Sequence, residues 1–253
     1  MQGAESPATT VVNNRTAMRS ACGLVPLSTP RQRRGDGMDT EEIIGYEALY
    51  NSMMKCKKGV MWKDSTAFFV HNWMREIGKL ERQLHDDTYQ ERPPKFFKVM
   101  EPKEREIMSI AFRDRVYQRS LNDVEIYPRC TRSFIYDNHA CQTGKGPDLA
   151  RKRLKCFLQR YYRKHGADGW VLQCDIKGYY PNMTHDVAKA TLRKHLPDES
   201  YQMAARILDN FPGEVGFNPG SQIVQIVGIT ALNDLDPVSY THLRAHETRG
   251  NLV

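Results

Sequence analysis

The sequence predicts an α+β fold with more helix than strand. Apolar residues recur at helical spacing over residues 41–84, alternate with polar residues over 96–112, and fill most of the segment 170–176. These patterns are typical of an amphipathic helical region, an antiparallel hairpin and a buried strand, respectively. Because 40% of the 253 residues are hydrophobic, the chain can bury a sizeable core.

Charge and cysteine usage narrow the class of protein. Lysine and arginine exceed the acidic residues by 37 to 30, a net charge of +7, which favours an anionic partner such as nucleic acid. The six cysteines show neither a CxxC pair nor zinc-ligand spacing, so we expect reduced thiols in a cytoplasmic protein. No apolar segment is long enough for a membrane span, so we expect no membrane contact.

The first 37 residues differ in composition from the rest. Residues 1–37 are rich in Ser, Thr, Gly, Pro and Arg, and their only acidic residues are Glu5 and Asp36. This composition predicts a disordered segment. A transit peptide has the same bias, but the more ordered text begins at Met38, so we favour the alternative of a non-native leader read from upstream sequence.

Residues 38–92 form a predicted helical N-terminal extension. Two apolar stripes at helical spacing, one led by Ile43 and the other by Phe68, predict two amphipathic helices joined by the basic segment 55–63. Pro93 and Pro94 end this region, because proline removes a backbone donor and clashes with the preceding helical turn.

The segment 93–169 begins with the predicted hairpin, whose turn lies near residues 102–104. Helical spacing returns over residues 113–121, residues 122–147 lack a regular pattern, and residues 148–165 are strongly basic and amphipathic. We therefore expect a hairpin, a short helix, an irregular connection and a long basic helix, in that order.

The segment 170–236 opens on the predicted buried strand, residues 170–176, which runs into a turn at Gly178 and Pro181. A loop rich in glycine and proline separates the last two of the helices that follow. These helices are predicted over residues 184–195, 200–210 and 223–236.

Asp175 is the leading candidate for chemistry. It ends an apolar strand, where a carboxylate is costly unless it is paired or bound to a metal. Two-metal phosphoryl or nucleotidyl transfer needs carboxylates on rigid strands to hold Mg²⁺ ions. The alternative is structural: an aspartate at this place can cap the following turn.

Three motifs resemble those of reverse transcriptases from group II introns, retrons and diversity-generating retroelements. CDIKGYYP, which contains Asp175, resembles motif A, and Arg105 keeps the family's spacing of eight residues from the triplet Arg113-Asp114-Arg115 in the fingers motif. NPGSQIVQIVGITALNDLD resembles motif B, with Ser221, Gln222 and Gln225 in its characteristic places. Agreement of three motifs in the right order is far more specific than any one of them.

The resemblance implies roles in catalysis for motif A. Asp175 and the Ile176 carbonyl would ligate catalytic Mg²⁺, since hard oxygen ligands suit that ion. Tyr180 would be the steric gate that rejects a 2′-hydroxyl, although Tyr179 and Tyr180 can also be ordinary packing aromatics.

Further residues would hold the substrates. Lys103 and Arg105 on the hairpin would fold over the triphosphate, and Ser221, Gln222 and Gln225 would contact the template base or the incoming nucleotide. Two interpretations stay open for the remaining basic residues. In the first, they contact the template backbone. In the second, they form a solvated helix face or, at the fingers triplet, a structural brace. These residues are Arg113, Arg115, Lys145, Arg151 and Lys152.

By resemblance, residues 93–169 would be the fingers and residues 170–236 the first part of the palm of a right-hand polymerase. The family's Tyr-x-Asp-Asp motif does not occur in these 253 residues, so we expect the chain alone to be inactive. Residues 237–253 do not resemble the family, and we interpret them as an artefactual tail.

The implied function is RNA-directed DNA polymerisation. Its partners would be an RNA template, a DNA or RNA primer and deoxynucleoside triphosphates. Two rival functions remain open: an intron maturase that binds structured RNA, and a non-catalytic RNA-binding module. The sequence carries no signal for the oligomeric state.

Overall fold

The computed structural model describes residues 40–100, 104–171, 173–217 and 220–236. The predicted leader, the predicted tail and Lys103 lie outside these residues. Helices dominate the described part, and they accompany one small two-stranded sheet, which agrees with the α+β class.

The secondary structure follows the chain in this order. The N-terminal helices are α1 (Glu41–Ile44), α2 (Tyr46–Cys56), α3 (Asp64–His71) and α4 (Trp73–His85), and the hairpin is β1 (Lys95–Val99) and β2 (Arg105–Ser109). The central elements are α5 (Phe112–Leu121), a π-helical turn (Asn122–Ile126), α6 (Tyr127–Thr131) and α7 (Pro147–His165). The last elements are α8 (Tyr179–Asn182), α9 (His185–His195), α10 (Asp198–Asp209) and α11 (Gln222–Ala231).

The predicted N-terminal helical region is confirmed, but each of the two predicted helices is divided. Gly45 separates α1 from α2, and Asn72 separates α3 from α4. The predicted apolar stripe is buried, with Ile43, Leu49 and Met53 at most 1% exposed. Burial of each such side chain stabilises the fold by about 1.5–3 kcal/mol.

The predicted hairpin is also confirmed. Strands β1 and β2 pair antiparallel, with Lys95 opposite Ser109 and Val99 opposite Arg105. Residues 101–103, which connect the strands, lie outside the described part. All five residues of β1 are exposed, whereas Met108 of β2 is buried in the core.

The prediction of irregular structure after α5 is wrong for residues 122–131, which form the π-helical turn and α6. Leu121, Ile126 and Cys130 are completely buried, so one apolar face continues through both elements. The five-residue step from 121 to 126 suits a π-turn, and Pro128 is tolerated because it lies in the first turn of α6.

The predicted basic helix is α7, and none of its residues is buried. The first residues of α7, up to Arg151, belong to one compact unit, and residues 152–169 belong to another. Within the latter unit, the Tyr161 hydroxyl donates a hydrogen bond to the Asp168 carbonyl over 3.0 Å. This contact ties the end of α7 to the connection that follows it.

The predicted buried strand 170–176 is wrong. Its described residues form no regular secondary structure, and Trp170, Val171 and Ile176 are 100%, 79% and 49% exposed. A strand is stable only when a neighbouring strand satisfies its backbone groups, and no described segment pairs with this one. A partial palm sheet is therefore absent from the described residues.

The predicted helices after the turn are confirmed as α9, α10 and α11. Their apolar faces meet at Leu192, Ile207 and Ile223, all at most 1% exposed. Thr184 caps α9, because its hydroxyl accepts a hydrogen bond from the Val187 amide over 3.3 Å. None of the described helices has the length and apolar composition needed to cross a bilayer.

Candidate nucleic-acid interface

The turn of motif A lies directly against the helix of motif B. The Tyr179 hydroxyl donates a hydrogen bond to the Gly228 carbonyl of α11 over 2.7 Å. The Tyr180 ring packs on the same glycine so closely that a Cβ atom there would lie 2.8 Å from Cε1. Helix α8 is therefore fastened to α11 by two adjacent tyrosines.

The loop before α11 also holds this turn. The Phe217 amide donates to the Tyr180 carbonyl over 2.9 Å, and the Gly216 amide donates to the Met183 carbonyl, also over 2.9 Å. Gly216 has φ +100°, a conformation that favours glycine, and the Pro181 carbonyl lies 3.0 Å from the position that a Cβ would occupy. The loop is thus held against the turn by backbone contacts.

A cleft of about 470 Å³ opens beside α11. Its volume is in the range of small-molecule sites, about 300–1,000 Å³. We call it the central cleft, and its lining is mostly polar. The lining residues are Lys55, Arg119, Asn122, Asp123, Tyr127, Cys141, Thr143, Gln222, Gln225 and Ile226.

Charged groups in the central cleft meet at Asp123. Its Oδ2 accepts hydrogen bonds from Lys55 Nζ at 2.7 Å and from Arg119 Nε at 2.8 Å. Partial burial alone would raise the pKa of the Asp123 carboxyl, but the hydrogen bonds from the two cations outweigh it and hold the pKa below its ordinary value. With two cations and one carboxylate, the cleft is net positive.

Two loop residues, Cys141 and Thr143, also line the central cleft. Cys141, at φ +50°, places its Sγ 3.9 Å from Oε1 of Gln225. The Tyr127 hydroxyl accepts a hydrogen bond from the Thr143 amide over 2.7 Å, so the hydroxyl proton can be donated elsewhere. Burial, with a smaller contribution from Cys141, raises the pKa of Tyr180.

Asp175 and Ile176, the predicted metal ligands, are exposed and lie outside the cleft lining. Asp175 precedes the anchored Tyr179 by four residues, so the chain can separate their Cα atoms by at most about 14 Å. The carboxylate and carbonyl oxygens suit Mg²⁺ chemically, but no group of three metal-ligand side chains among the described residues includes Asp175. Magnesium binding stays a prediction.

One set of metal-ligand side chains occurs elsewhere in the described residues. Glu41, Glu81 and His85 bring their ligand atoms within 4.8 Å of one another on the N-terminal helices. His85 Nε2 lies 3.2 Å from a Glu41 oxygen, and Glu81 accepts a hydrogen bond from the Tyr46 amide. These contacts satisfy the groups without an ion, so they do not indicate a magnesium site.

The fingers triplet surrounds a buried carboxylate. Asp114 is 0% exposed and accepts hydrogen bonds from the Tyr89 hydroxyl at 2.8 Å, the Arg92 amide at 3.0 Å and Arg113 Nε at 3.0 Å. Arg113 also donates to Gln83 and lies over the Tyr89 ring. This geometry favours a bracing role for Arg113. A contact between Arg113 and nucleic acid would require these interactions to break.

Ser221 faces the protein interior. Its Oγ donates to Gln118 Oε1 over 3.1 Å, and Gln118 Nε2 donates to Glu91 over 2.9 Å. Asn210 donates to the other oxygen of Glu91 over 2.8 Å. Ser221 therefore helps to fix the start of α11, and its contact with substrate stays a prediction.

Glu91 makes this network sensitive to pH. Burial raises the pKa of its carboxyl above the ordinary value, although the bonds from Gln118 and Asn210 oppose the shift. The Glu91 carboxyl therefore binds its proton more tightly in the folded state than in the unfolded state. Its contribution to the free energy of unfolding falls as the pH rises above about 4.3, the ordinary pKa of glutamate. We expect wild type to lose stability relative to Glu91→Gln as pH rises from 4.5 to 7.5 in urea unfolding. A difference in unfolding free energy between the two proteins that stays constant with pH would contradict this prediction.

The remaining basic candidates are dispersed. Lys145 donates to the carbonyls of Tyr136 and Asn138, each over 2.9 Å, and burial lowers the pKa of its ammonium group. Arg151 forms a surface ion pair at the start of α7, and Lys152 is exposed in the other unit. These residues do not line the central cleft.

Two arginines of the fingers motif also have defined positions. Arg115 is half-buried on α5, and its carbonyl accepts a hydrogen bond from the Cys56 thiol over 3.6 Å. The backbone of Arg105 begins β2, and its side chain is outside the description. Nucleic-acid and triphosphate contacts of these two residues stay predictions.

Sequence patterns alone did not identify most of the cleft. Asn122, Asp123, Tyr127 and Cys141 lay in a segment predicted to be irregular. The available signal was the polar face of α5, where Arg119 lies one turn before Asp123. Of the predicted site residues, the structure brings Gln222 and Gln225 together in the cleft and places Tyr180 beside it.

No protein-family model matches this chain, and no curated protein matches it. A function for the chain therefore depends on the three sequence motifs and on the geometry of the cleft. The two kinds of observation meet at α11, which carries the motif B glutamines and contacts the motif A tyrosines.

Proposed function

We propose that this chain contributes the fingers and the first part of the palm of an RNA-directed DNA polymerase. The observation that carries the proposal is the packing of Tyr180 on Gly228, beside a cleft lined by Gln222 and Gln225. Motifs that are more than forty residues apart in sequence thus meet at one helix. A polymerase of this class requires motifs A and B to lie together, because they contact the incoming nucleotide and the template base at the same site.

The two tyrosines differ in a way that supports Tyr180 as the steric gate. The Tyr179 hydroxyl is engaged by the Gly228 carbonyl, and its ring meets that of Tyr180 edge to face, with centroids 5.3 Å apart. Tyr179 therefore acts as a support that orients its neighbour. A ring so held beside the cleft can exclude a 2′-hydroxyl by steric contact.

The polar lining of the central cleft suits a nucleotide. Gln222 and Gln225 offer amide groups that can pair with base edges, and Lys55 and Arg119 offer cations for a phosphate. Asp123 holds both cations in place until a phosphate competes for them. The overall charge of +7 acts in the same direction, because it attracts the anionic partner.

Mg²⁺ would be held by the Asp175 carboxylate and the Ile176 carbonyl, and it would lower the barrier to attack on a nucleotide phosphate. One carboxylate does not complete such a site. The contribution of the described residues is thus to bind and orient nucleotide and template, while the chemical step requires further carboxylates.

The exposure of Asp175 favours one alternative, a non-catalytic RNA-binding module. In such a module the cleft would bind RNA and Asp175 would be dispensable. An intron maturase would bind RNA too, but no described contact distinguishes it.

Primer extension tests the proposal. We expect the source gene, read across the codon for Asp236, to encode a Tyr-x-Asp-Asp motif, and its protein to extend a DNA primer on an RNA template with Mg²⁺. We expect Asp175→Asn to lower the extension rate by more than about 100-fold, because it removes a metal ligand.

Asp168→Asn is the matched control, since it neutralises an exposed carboxylate seven residues upstream of Asp175. It should retain the wild-type rate. Full activity of Asp175→Asn, or a gene without a second pair of carboxylates, would exclude the polymerase and favour the RNA-binding module.

A further inference from the structure

The connection between α2 and α3 presents a tryptophan on a strongly basic turn. Residues 55–63 contain four lysines and no acidic residue. Trp62 is 77% exposed and Met61 is 44% exposed. We call residues 57–63 the Trp62 turn. Exposure of so large an apolar side chain on a folded protein indicates an interaction surface.

Backbone contacts give the Trp62 turn a defined shape. The Val60 amide donates to the Lys57 carbonyl over 3.2 Å, and the Lys63 amide donates to the Val60 carbonyl over 3.1 Å. Gly59 has φ +73°, which a residue with a Cβ adopts only under strain. Val60 packs against the core, so the indole is held outward by an anchored turn.

One lysine lies over the indole, and other lysines of the turn are near it in sequence. Lys63 Nζ lies 5.2 Å from the centroid of the Trp62 ring. Lys57, Lys58 and Lys63 form no ion pair with the described residues. Lys55, at the end of α2, lines the central cleft, so positive charge continues along the chain from the cleft into the turn.

An aromatic ring among unpaired lysines matches the chemistry of single-stranded nucleic acid. Every base offers a face that can stack on an indole, and every phosphate can pair with an ammonium group. An anionic membrane surface is the rival partner. It fits less well, because membrane binding scales with inserted apolar area and the turn exposes only Met61 and Trp62 as large apolar side chains.

We propose that the Trp62 turn binds single-stranded nucleic acid, with one base stacked on the indole and the phosphates held by Lys57, Lys58 and Lys63. The choice of RNA as the strand rests on the proposed function. The turn is then a second contact for the strand that enters the central cleft, on a segment that none of the three motifs includes.

Fluorescence provides a direct test. The chain has three tryptophans, so Trp170→Phe is used as the background, which leaves Trp62 and the half-buried Trp73. We expect an oligo(rA) 16-mer to quench the emission, and Trp62→Ala in that background to abolish the quenching. Binding measured by anisotropy should weaken about tenfold, within the range for loss of one stacked base.

Matched variants separate stacking from loss of apolar area. Trp62→Phe should retain most of the affinity, whereas Trp62→Leu should weaken binding as Trp62→Ala does, because leucine has no aromatic face. Met74→Ala removes another side chain, 66% exposed, from α4 and should bind as wild type. The triple variant Lys57→Gln, Lys58→Gln, Lys63→Gln should flatten the salt dependence by about 2 log units per decade of salt.

Three outcomes would overturn the inference: unchanged affinity of Trp62→Ala, equal affinity of the leucine and phenylalanine variants, or binding to phosphatidylserine vesicles with no binding to oligo(rA). These results are distinct from failure of the proposed function, since Asp175 is intact in every variant. Loss of stacking would leave the effect of Asp175→Asn on primer extension in place. An active Asp175→Asn protein would leave the Trp62 binding result in place.

Discussion

Replacement of Asp114 by alanine is expected to destabilise the fold by about 3–5 kcal/mol, the usual effect of breaking a buried ionic network. The carboxylate is fully buried and accepts hydrogen bonds from Tyr89, Arg92 and Arg113. Its removal leaves a nearly buried guanidinium, 12% exposed, without its charge partner. The midpoint of urea unfolding, followed by circular dichroism, measures the change.

Two control variants separate the loss of the Asp114 charge from the effect of its buried position. Asp114→Asn should also destabilise, because its amide nitrogen must face one of the donors. Asp87→Asn neutralises an exposed carboxylate that pairs with Arg206 and should change stability only slightly, since asparagine tolerates the positive φ of residue 87. Equal effects of Asp114→Asn and Asp87→Asn would show that the buried network does not stabilise the fold.

Gly228→Ala is expected to destabilise the chain by about 1–3 kcal/mol, the usual effect of overpacking. The added Cβ would lie 2.8 Å from Cε1 and 3.1 Å from the hydroxyl oxygen of Tyr180. Helix propensity acts in the opposite direction, since alanine is favoured over glycine by about 1 kcal/mol within a helix. Urea unfolding therefore tests whether the steric contact with Tyr180 outweighs the higher helix propensity of alanine.

A double-mutant cycle identifies the cause. In the background of Tyr180→Ala the clash is absent, so Gly228→Ala should become neutral or stabilising there. The Tyr179 hydroxyl bond to the Gly228 carbonyl is a backbone contact and remains possible in all four proteins. Additive effects of the two substitutions would show that Tyr180 does not pack on α11 in solution.

These predictions concern the two places where the motifs join the fold. Asp114 connects the fingers triplet to the segment that leads into β1. Gly228 connects the motif B helix to the motif A turn. Substitutions at either place are expected to shift the residues that we propose to bind substrate.

Most helices and the hairpin could be predicted from local patterns. The apolar stripe through Ile43, Leu49 and Met53 is buried as its spacing indicates, and the alternation over residues 96–108 forms the hairpin. Helical hydrogen bonds and a tight hairpin join residues that are near in sequence. A window of ten to twenty residues therefore contains the information for these elements.

The strand predicted at 170–176 failed for the opposite reason. Its apolar composition is suited to a buried strand, but strand formation requires a partner from elsewhere in the chain. In the described residues that partner is absent, so Trp170 and Val171 are exposed. The π-turn after Leu121 was missed because burial of Ile126 depends on helices remote in sequence.

The candidate site likewise contains residues that local motifs identified and residues that only tertiary packing brings together. Local motifs identified Gln222, Gln225 and Tyr180, since each motif is a short continuous string. The central cleft joins these to Lys55, Arg119, Asp123 and other residues from separate segments, which only packing brings together. Whether a polar side chain faces solvent or the interior is likewise a property of packing: Arg113 and Ser221 were substrate candidates by type, and the fold directs both inward. Residue type and spacing thus predict the chemistry that is available, and tertiary contacts select which groups meet, because burial and ion pairing depend on distant parts of the chain.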